Sequence, residues 1–219
     1  MEPANQLKGI IFDLDGTLGN TLPVVFAAFQ RALEKFSSRQ YTNEEIAAYF
    51  GASEEGIIQQ IVRSQWQDCL QSYLYEYEKA HAICDRPFPG IEAALNLCKQ
   101  QNIALAVVTG KGLYSTAISL RCMGLVDCFD IVETGSADGA IKPLSIRNVL
   151  TRWNISPQYV AYVGDAPYDM QAAKEVGVMP LGAAWAETAS FELLDEMSPV
   201  ATFRSVENFI DWIRSYCER

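Results

Sequence analysis

The sequence is poor in the residues that several common kinds of catalytic or metal site require. Its 219 residues include one histidine, His81, so a Ser-His-Asp or Cys-His mechanism would need that residue as its base. We interpret His81 instead as a residue on a helix surface. The six cysteines contain no Cys-x-x-Cys pair, which argues against a zinc cluster. We interpret them as reduced thiols in apolar surroundings.

Basic residues and long apolar runs are also scarce. Seventeen Lys and Arg residues stand against 27 Asp and Glu residues, and the formal charge is -10. Without a basic run to offset it, this charge repels a phosphate backbone and argues against nucleic-acid binding. No apolar run is long enough to span a bilayer, and the first residues lack the basic and apolar regions of a secretory signal. We therefore expect a cytoplasmic protein without a membrane partner.

What the chain does contain is the composition of an ordinary globular protein, with 49% hydrophobic and 20% charged residues. Short Val- and Ile-rich runs alternate with helical patterns, which predicts an α/β fold with a Rossmann-like, doubly wound parallel sheet. The predicted strands are residues 9–12, 103–108, 129–132, 159–163 and 178–181. The predicted helices are residues 91–101, 113–123, 144–153, 167–176, 187–196 and 206–217.

One segment interrupts this alternation. Residues 21–86 contain no convincing strand and have the pattern of several amphipathic helices. Chain-bending residues flank the segment on both sides, including the stretch 87–90 with its two prolines and a glycine. We therefore predict an α/β core domain of residues 1–20 and 87–219, with a helical domain inserted at residues 21–86.

Four predicted strands are followed by, or end near, a polar residue: Asp13, Thr109, Glu133 and Asp165. Ligands of open α/β sheets bind outside the carboxyl ends of the strands. We therefore expect these four side chains to converge on one crevice, although they are far apart in sequence.

Two carboxylates, Asp13 and Asp15, lie where the first predicted strand breaks into a turn at Gly16. One carboxylate can act as a nucleophile and its neighbour as a proton donor. A carboxylate that attacks a dianionic phosphate needs a hard cation nearby, and Mg²⁺ prefers oxygen ligands. Asp165 and Asp169 supply such oxygens at the start of a helix, although Asp169 has capping of that helix as an alternative role.

Two further positions suit a phosphate group. Lys142 can neutralise charge on a phosphoryl group, and Thr109-Gly110 can offer a hydroxyl and a backbone N–H. Each has an ordinary alternative, because a lysine before Pro143 can be a surface residue and a Thr-Gly pair is common in turns.

Together, the motifs Asp13-Leu14-Asp15-Gly16-Thr17, Val108-Thr109-Gly110, Lys142-Pro143 and Gly164-Asp165 to Asp169 resemble those of the haloacid dehalogenase superfamily, in that order. The chain is most similar to the phosphoglycolate phosphatase-like subgroup, whose cap domain corresponds to the inserted helices. The resemblance implies a magnesium-dependent phosphatase that acts on a small phosphate monoester, either phosphoglycolate-like or a sugar phosphate.

The resemblance also implies roles for individual residues. Asp13 would attack phosphorus, and Asp15 would protonate the leaving oxygen and then activate water against the aspartyl phosphate. Thr109, Gly110 and Lys142 would bind the phosphoryl oxygens.

The same resemblance implies the ligands of Mg²⁺. They are Asp13, the backbone carbonyl of Asp15, and Asp165, with Asp169 acting as a ligand or by orienting water and the lysine. It implies no role for Glu133.

The cap segment departs from what an anionic leaving group would require. Residues 51–55, which resemble the family's specificity loop, contain two acids and no arginine. This composition argues against recognition of a second anionic group, although Arg31, Lys35 or Arg63 could reach the site.

Several alternatives stay open at this point. A phosphomutase of the superfamily usually has a cap histidine soon after the first motif, and this chain has none there. A pyrophosphatase fits the same motifs. A non-catalytic phospho-ligand-binding protein would be expected to lack at least one of Asp13, Asp15, Lys142 or Asp165, and all are present. The protein is expected to be a monomer or a homodimer.

Overall fold

The computed structural model describes residues 7–217, and the side chains of residues 7–216. In this part of the chain six strands form one parallel sheet in the order β3-β2-β1-β4-β5-β6. The strands are β1 Gly9–Phe12, β2 Ala104–Val108, β3 Ile131–Glu133, β4 Val160–Gly164, β5 Met179–Ala183 and β6 Ala201–Phe203. The α/β prediction is therefore confirmed.

The helices of the described residues complete the alternation that the sequence predicted. They are α1 Leu22–Ser37, α2 Asn43–Ala47, α3 Glu54–Val62, α4 Trp66–Ala80, α5 Ile91–Gln100, α6 Leu113–Cys122, α7 Lys142–Trp153, α8 Pro167–Val176, α9 Phe191–Glu196 and α10 Val206–Cys217. Not one of these helices is both long and apolar enough to cross a membrane.

The sheet is covered on both faces. In β1, Ile10 and Phe12 pack in one apolar cluster, while Ile11 packs in a second cluster with residues of α7 and α8. Alternate side chains of a strand point to opposite faces. The strand is thus apolar at every position because both of its faces are buried.

The structure adds one strand to the sequence prediction and moves the ends of several elements, including β3, which is Ile131–Glu133 rather than residues 129–132. Strand β6 was not predicted, since it is a three-residue edge strand that pairs only with β5 among the described strands. Helix α7 begins at Lys142 rather than at residue 144, with Pro143 in its first turn. Helix α9 begins at Phe191 rather than at residue 187.

Helices α1 to α4 form a helical unit between β1 and α5. Its interior includes Phe29, Tyr73 and Tyr77, with ring centroids 4.5 Å apart for Phe29 and Tyr73. Tyr75 is exposed, as the helical spacing requires. No strand lies between residues 22 and 86. The limits predicted for the inserted domain fall in the connections on either side of this unit, and they stay a prediction.

The interpretation of His81 as a surface residue was wrong. Its side chain is 1% exposed, and its two ring nitrogens lie 2.8 Å from the Cys84 carbonyl oxygen and 3.2 Å from Ser119 Oγ. Burial lowers the pKa of this imidazole, against the opposing effect of the bond to Cys84. His81 thus joins the helical unit to α6 of the core as a neutral polar contact.

The cysteines agree in part with their interpretation as core thiols. Cys69, Cys84 and Cys98 are buried, whereas Cys122 and Cys128 are partly buried. The side chain of Cys217 lies outside the described residues.

Candidate active site

The candidate site lies at the carboxyl edge of the sheet, where β1, β2 and β4 run side by side. The last residue of β1 is in register with Val107 of β2 and Val163 of β4. The next residues after these strands therefore meet at one edge, and they include Asp13, Thr109 and Asp165. The predicted convergence is observed for these three.

Glu133, the fourth polar residue of the prediction, does not take part. It is the last residue of β3, and its carboxylate lies 3.1 Å from Asn148 Nδ2 and 3.4 Å from Arg152 Nη1. Glu133 thus contacts the outer surface of α7 and is not among the described residues that line the cavity of the site.

Lys142 joins two of the site's carboxylates. It is the first residue of α7, and its Nζ lies 2.8 Å from Asp13 Oδ2 and 2.5 Å from Asp169 Oδ1. Burial lowers the pKa of Lys142, but the two carboxylates outweigh burial and hold this pKa well above its usual range. The surface-lysine alternative is therefore excluded, because the ammonium group is charged and enclosed.

Asp169 caps the start of α8 and also contacts Lys142. Its Oδ2 accepts a hydrogen bond from the Ala166 backbone N–H at 3.0 Å, which caps the start of α8. Its Oδ1 contacts Lys142, and the Tyr162 hydroxyl lies 3.3 Å away. Asp169 is fully buried beneath the cavity and orients the lysine.

Three carboxylates form a compact acidic cluster: oxygens of Asp13, Asp165 and Asp169 all lie within 4.8 Å of one another. Burial raises the pKa of Asp13 to about 7, with Lys142 opposing burial and Asp169 adding to it. Burial, followed by Asp169 and Asp13, raises the pKa of Asp165 well above its usual range. Lys142 is the one cation that contacts this cluster among the described residues, and it does not balance three carboxylates, of which Asp13 and Asp169 are buried and Asp165 is partly buried. The oxygen donors and the excess negative charge therefore fit Mg²⁺.

The Asp15 side chain is not a member of that cluster and points elsewhere. Its Oδ1 accepts a short hydrogen bond from the hydroxyl of Thr21, the residue before α1. The same oxygen lies 3.4 Å from Lys111 Nζ. Two groups thus fix the carboxylate beside Asp13, at the wall of the cavity.

Gly16 is required for the close approach of the turn after Asp13 to Asp165. It has a φ of +72°, and a Cβ at this position would lie 2.1 Å from Asp165 Oδ2. Any side chain here would displace Asp165 and strain the turn. The indole Nε1 of Trp185 further fixes this turn by donating to the Thr17 carbonyl oxygen at 3.0 Å.

Thr109 and Gly110 directly follow β2, the strand next to β1 in the sheet. Thr109 is 2% exposed, and its Oγ1 accepts a hydrogen bond from the Lys111 backbone N–H at 3.3 Å. The space around the Gly110 Cα is open, whereas its carbonyl oxygen packs against Gly135. Both residues line the cavity, so their polar groups are available to a ligand.

Lys111 and Glu54 are site residues that the sequence analysis missed. Lys111 Nζ lies 3.2 Å from Glu54 Oε1, and both side chains are almost fully buried. Lys111 directly follows the Thr109-Gly110 motif, and this position was the available signal for it. Glu54 is one of the two acids of residues 51–55, and nothing in that pattern indicates a contact with the core.

The site residues surround a cavity of about 440 Å³ between the sheet edge and the helical unit. Arg31, Lys35 and Arg63, which were considered as further cations, are not among the described residues that line it. Arg31 and Lys35 instead pair with Glu76 on the outside of the helical unit, at 3.3 Å and 3.1 Å.

Comparison with known proteins gives the family. The model of the haloacid dehalogenase-like hydrolases matches residues 10–183. A phosphoglycolate phosphatase of Nitrosospira multiformis is 31% identical over 182 residues, which cover 78% of this chain and 80% of the relative. A pyrophosphatase of Bacillus pumilus is 25% identical over 183 residues, covering 83% of this chain and 85% of the relative.

A solved structure gives the same fold. The structure of CbbY from Rhodobacter sphaeroides in complex with phosphate superposes with a TM-score of 0.76 and 19% identity, covering 92% of this chain and 95% of the other. The chain therefore belongs to the haloacid dehalogenase-like hydrolase family, which confirms its assignment from sequence to the phosphatases of the phosphoglycolate phosphatase-like group.

Proposed function

We propose that this phosphatase is magnesium-dependent and hydrolyses a small phosphate monoester through a phosphoaspartate on Asp13. The observation that carries the proposal is the fixed position of that carboxylate. Asp13 Oδ1 accepts the Leu14 backbone N–H at 2.7 Å, and Oδ2 accepts from Lys142 at 2.8 Å. The carboxylate is held at the floor of the cavity beside a second acid, as a nucleophile requires.

The phosphoryl group would be bound from two sides. Thr109 and Gly110 offer a hydroxyl and a backbone N–H, and Lys142 offers an ammonium group on a side chain that is 12% exposed. Asp13, Asp165, Asp169 and the backbone carbonyl of Asp15 would hold Mg²⁺, with Asp169 as a ligand or through water. When bound, Mg²⁺ reduces the repulsion between the carboxylates and the phosphate dianion.

In the first transfer, a carboxylate oxygen of Asp13 attacks phosphorus, and the bond between phosphorus and the ester oxygen breaks. Asp15 donates its proton to that departing oxygen, so that an alcohol leaves rather than an alkoxide. Lys142 stabilises the negative charge on the phosphoryl oxygens while the bonds exchange.

In the second transfer, water attacks the same phosphorus. Asp15, now ionised, takes a proton from that water, and the bond between phosphorus and the Asp13 oxygen breaks. Inorganic phosphate is released, the Asp13 carboxylate is restored, and Asp15 is again protonated. The two carboxylates thus complete the cycle without a histidine.

Hydrolysis of pyrophosphate is the second candidate, because one relative is named a pyrophosphatase. Its leaving group is phosphate, which needs protonation less than an alkoxide does but brings additional negative charge into the cavity. A phosphomutase and a non-catalytic phosphate-binding protein are the further alternatives that the sequence left open.

A panel of phosphate esters tests these proposals. It contains phosphoglycolate, sugar phosphates, nucleotides, alkyl and benzyl phosphates, and pyrophosphate, each assayed with Mg²⁺, with chelator and with the Asp13→Asn variant. We expect release of inorganic phosphate from monoesters, and loss of release in both controls. Preference for pyrophosphate would favour the second candidate, and an isomerised sugar phosphate would favour a mutase. Binding of phosphate without any turnover would contradict a catalytic function.

Two further expectations accompany the proposal. The partner is a small phosphorylated molecule, and the chain acts in the cytoplasm as a monomer or homodimer. Gel filtration and localisation of a tagged chain test them.

A further inference from the structure

The wall that the helical unit contributes to the cavity is apolar except for one group. Its large side chains come from α1, from the loop before α3 and from α3 itself. They are Leu22, Val25, Phe29, Phe50 and Ile57. The exception is Glu54, at the first position of α3.

Glu54 is buried and fully engaged with the core. Its side chain is 7% exposed. Oε2 accepts the Gly112 backbone N–H at 2.5 Å, and Oε1 accepts from Ser115 Oγ at 2.6 Å and lies 3.2 Å from Lys111 Nζ. Burial tends to raise the pKa of Glu54, but Lys111 and these donors outweigh it, so the pKa is lowered. Glu54 is thus an ionised carboxylate held inside the cavity wall.

This carboxylate occupies the positions that an anionic leaving group would need. The N-terminus of α6, at Gly112 and Ser115, is the kind of place where helices bind anions, and Lys111 is beside it. In this chain Glu54 already takes the backbone N–H, the hydroxyl and the lysine's charge.

The charges around the cavity also leave no partner for an anionic leaving group. Among its described lining residues the cations are Lys111 and Lys142. Lys142 is paired with Asp13 and Asp169, and Lys111 lies between Glu54 and Asp15 at 3.2 Å and 3.4 Å. No positive charge in this lining is left for a carboxylate or a second phosphate on the leaving group.

Lys111 does retain capacity to donate hydrogen bonds. Its buried Nζ has no hydrogen-bond partner of normal geometry among the described residues, although its charge is matched by Glu54 at 3.2 Å. A neutral oxygen, such as a hydroxyl, ether or carbonyl, can accept such a bond without adding negative charge.

We propose that the substrates are phosphate monoesters of uncharged, largely apolar alcohols, and that Glu54 is the residue that excludes anionic leaving groups. This proposal rests on the proposed phosphatase function and narrows it. Of the substrate classes implied by sequence, it disfavours phosphoglycolate, whose glycolate carries a carboxylate. Within the cavity, that carboxylate would face Glu54, which already takes up the charge of Lys111.

A matched pair of esters tests the proposal. 4-Methylbenzyl phosphate and 4-carboxybenzyl phosphate release alcohols of similar basicity and similar length, and they differ by one negative charge. We expect wild-type kcat/KM to be at least about 100-fold higher for the methyl compound, because like charges in an enclosed site repel strongly. The pair propyl phosphate and phosphoglycolate repeats the comparison with smaller leaving groups.

The Glu54→Gln variant tests whether Glu54 causes this preference. It removes the charge and retains an amide of similar size, so Lys111 becomes free to pair with the substrate carboxylate. We expect the preference to shrink by about tenfold or more, mainly through a lower KM for the carboxylated ester. Glu76→Gln, a buried glutamate on the outer side of the helical unit, is the matched control and leaves the preference unchanged.

Each unexpected result would contradict a different part of the proposal. Wild-type preference for the carboxylated ester, or equal rates, overturns the proposal while the phosphatase function stands. An unchanged preference in Glu54→Gln overturns the role of Glu54. Hydrolysis of other panel esters but of neither benzyl ester contradicts the apolar leaving group. No hydrolysis of any ester overturns the proposed function, and this proposal with it.

Discussion

Single hydrogen bonds decide where the two catalytic carboxylates of the proposed mechanism point. Asp13 is oriented by Leu14 N–H and Lys142, whereas Asp15 is oriented by the Thr21 hydroxyl and approached by Lys111. Asp15 therefore does not pair with the lysine that binds phosphate. This separation leaves one carboxylate to attack and the other to exchange a proton.

The Thr21→Val variant tests whether the hydrogen bond from Thr21 orients Asp15. Valine keeps the shape of the buried threonine but removes the hydroxyl that donates to Asp15. We expect kcat for an alkyl phosphate to fall by about tenfold, because proton transfer by a positioned acid contributes far more than this in total. KM should change little, as Thr21 is not among the described lining residues.

The choice of leaving group supplies the control. 4-Nitrophenyl phosphate has a leaving group that needs little protonation, so its phosphoryl transfer to Asp13 should be slowed less by Thr21→Val. Pre-steady-state release of nitrophenolate measures that step alone. Equal slowing for alkyl and nitrophenyl esters would mean that Thr21 does not act through the acid.

At the scale of elements, helix α3 lies directly against the core. The Ser53 N–H donates to the Ser136 carbonyl oxygen at 2.8 Å, and a Cβ at Gly56 would lie 2.2 Å from the Ala137 carbonyl oxygen. Glu54 belongs to the same helix. The approach of α3 to the loop before α7 therefore sets how the helical unit closes the cavity.

Gly56→Ala tests this closure. The added methyl group has no room, so α3 must move away from the loop and carry Glu54 with it. We expect kcat/KM to fall by about tenfold. Expressed as a free energy, this fall lies near the lower end of the cost that overpacking usually has. Gln59→Ala, at an exposed position of the same helix, is the control. Unchanged kinetics in Gly56→Ala, with a folded protein, would show that this contact does not position the site.

The elements also show what the sequence could predict. Strands β1, β2 and β4 were found because burial on both faces makes each one a continuous apolar run. The polar residues that follow these strands could then be predicted to lie together, because parallel strands end at one edge of the sheet. Strand β6 is short and contains Thr202 at the sheet edge, so it has no such pattern.

The contact between Glu54 and Lys111 could not be predicted in this way. It joins the start of α3 to the residue after Thr109-Gly110, and it depends on how the helical unit packs on the core. The hydrophobic pattern within one helix or strand does not indicate how that element packs against another. The misinterpretation of His81 has a related cause, because its burial depends on Ser119 of α6 as well as on Tyr77 and Cys84, which are near it in the chain.

For the whole molecule, the acidic cluster links metal binding to stability. Asp13, Asp165 and Asp169 lie close together with one lysine, so their mutual repulsion opposes folding when no cation balances it. We expect Mg²⁺ well above its dissociation constant to raise the Tm by about 5 °C, because a ligand bound only to the folded state stabilises it.

Asp165→Asn separates this effect from general salt effects. With chelator present, the variant should melt at or above the wild-type temperature, since one repelling charge is gone. With Mg²⁺, its Tm should rise much less than that of the wild type. Asp211→Asn, on the exposed face of α10, should respond to Mg²⁺ as the wild type does. An equal Mg²⁺ response in Asp165→Asn would place the metal elsewhere.

The most direct test of the account is to trap the phosphoryl group on Asp13. The Asp15→Asn variant is mixed with 4-nitrophenyl phosphate and Mg²⁺, quenched rapidly and reduced with borohydride, which converts an aspartyl phosphate to homoserine. We predict a burst of nitrophenolate followed by slow turnover, with homoserine found by peptide mass spectrometry at position 13. Release of nitrophenolate in this variant without any modification of Asp13 would contradict the proposed phosphoaspartate.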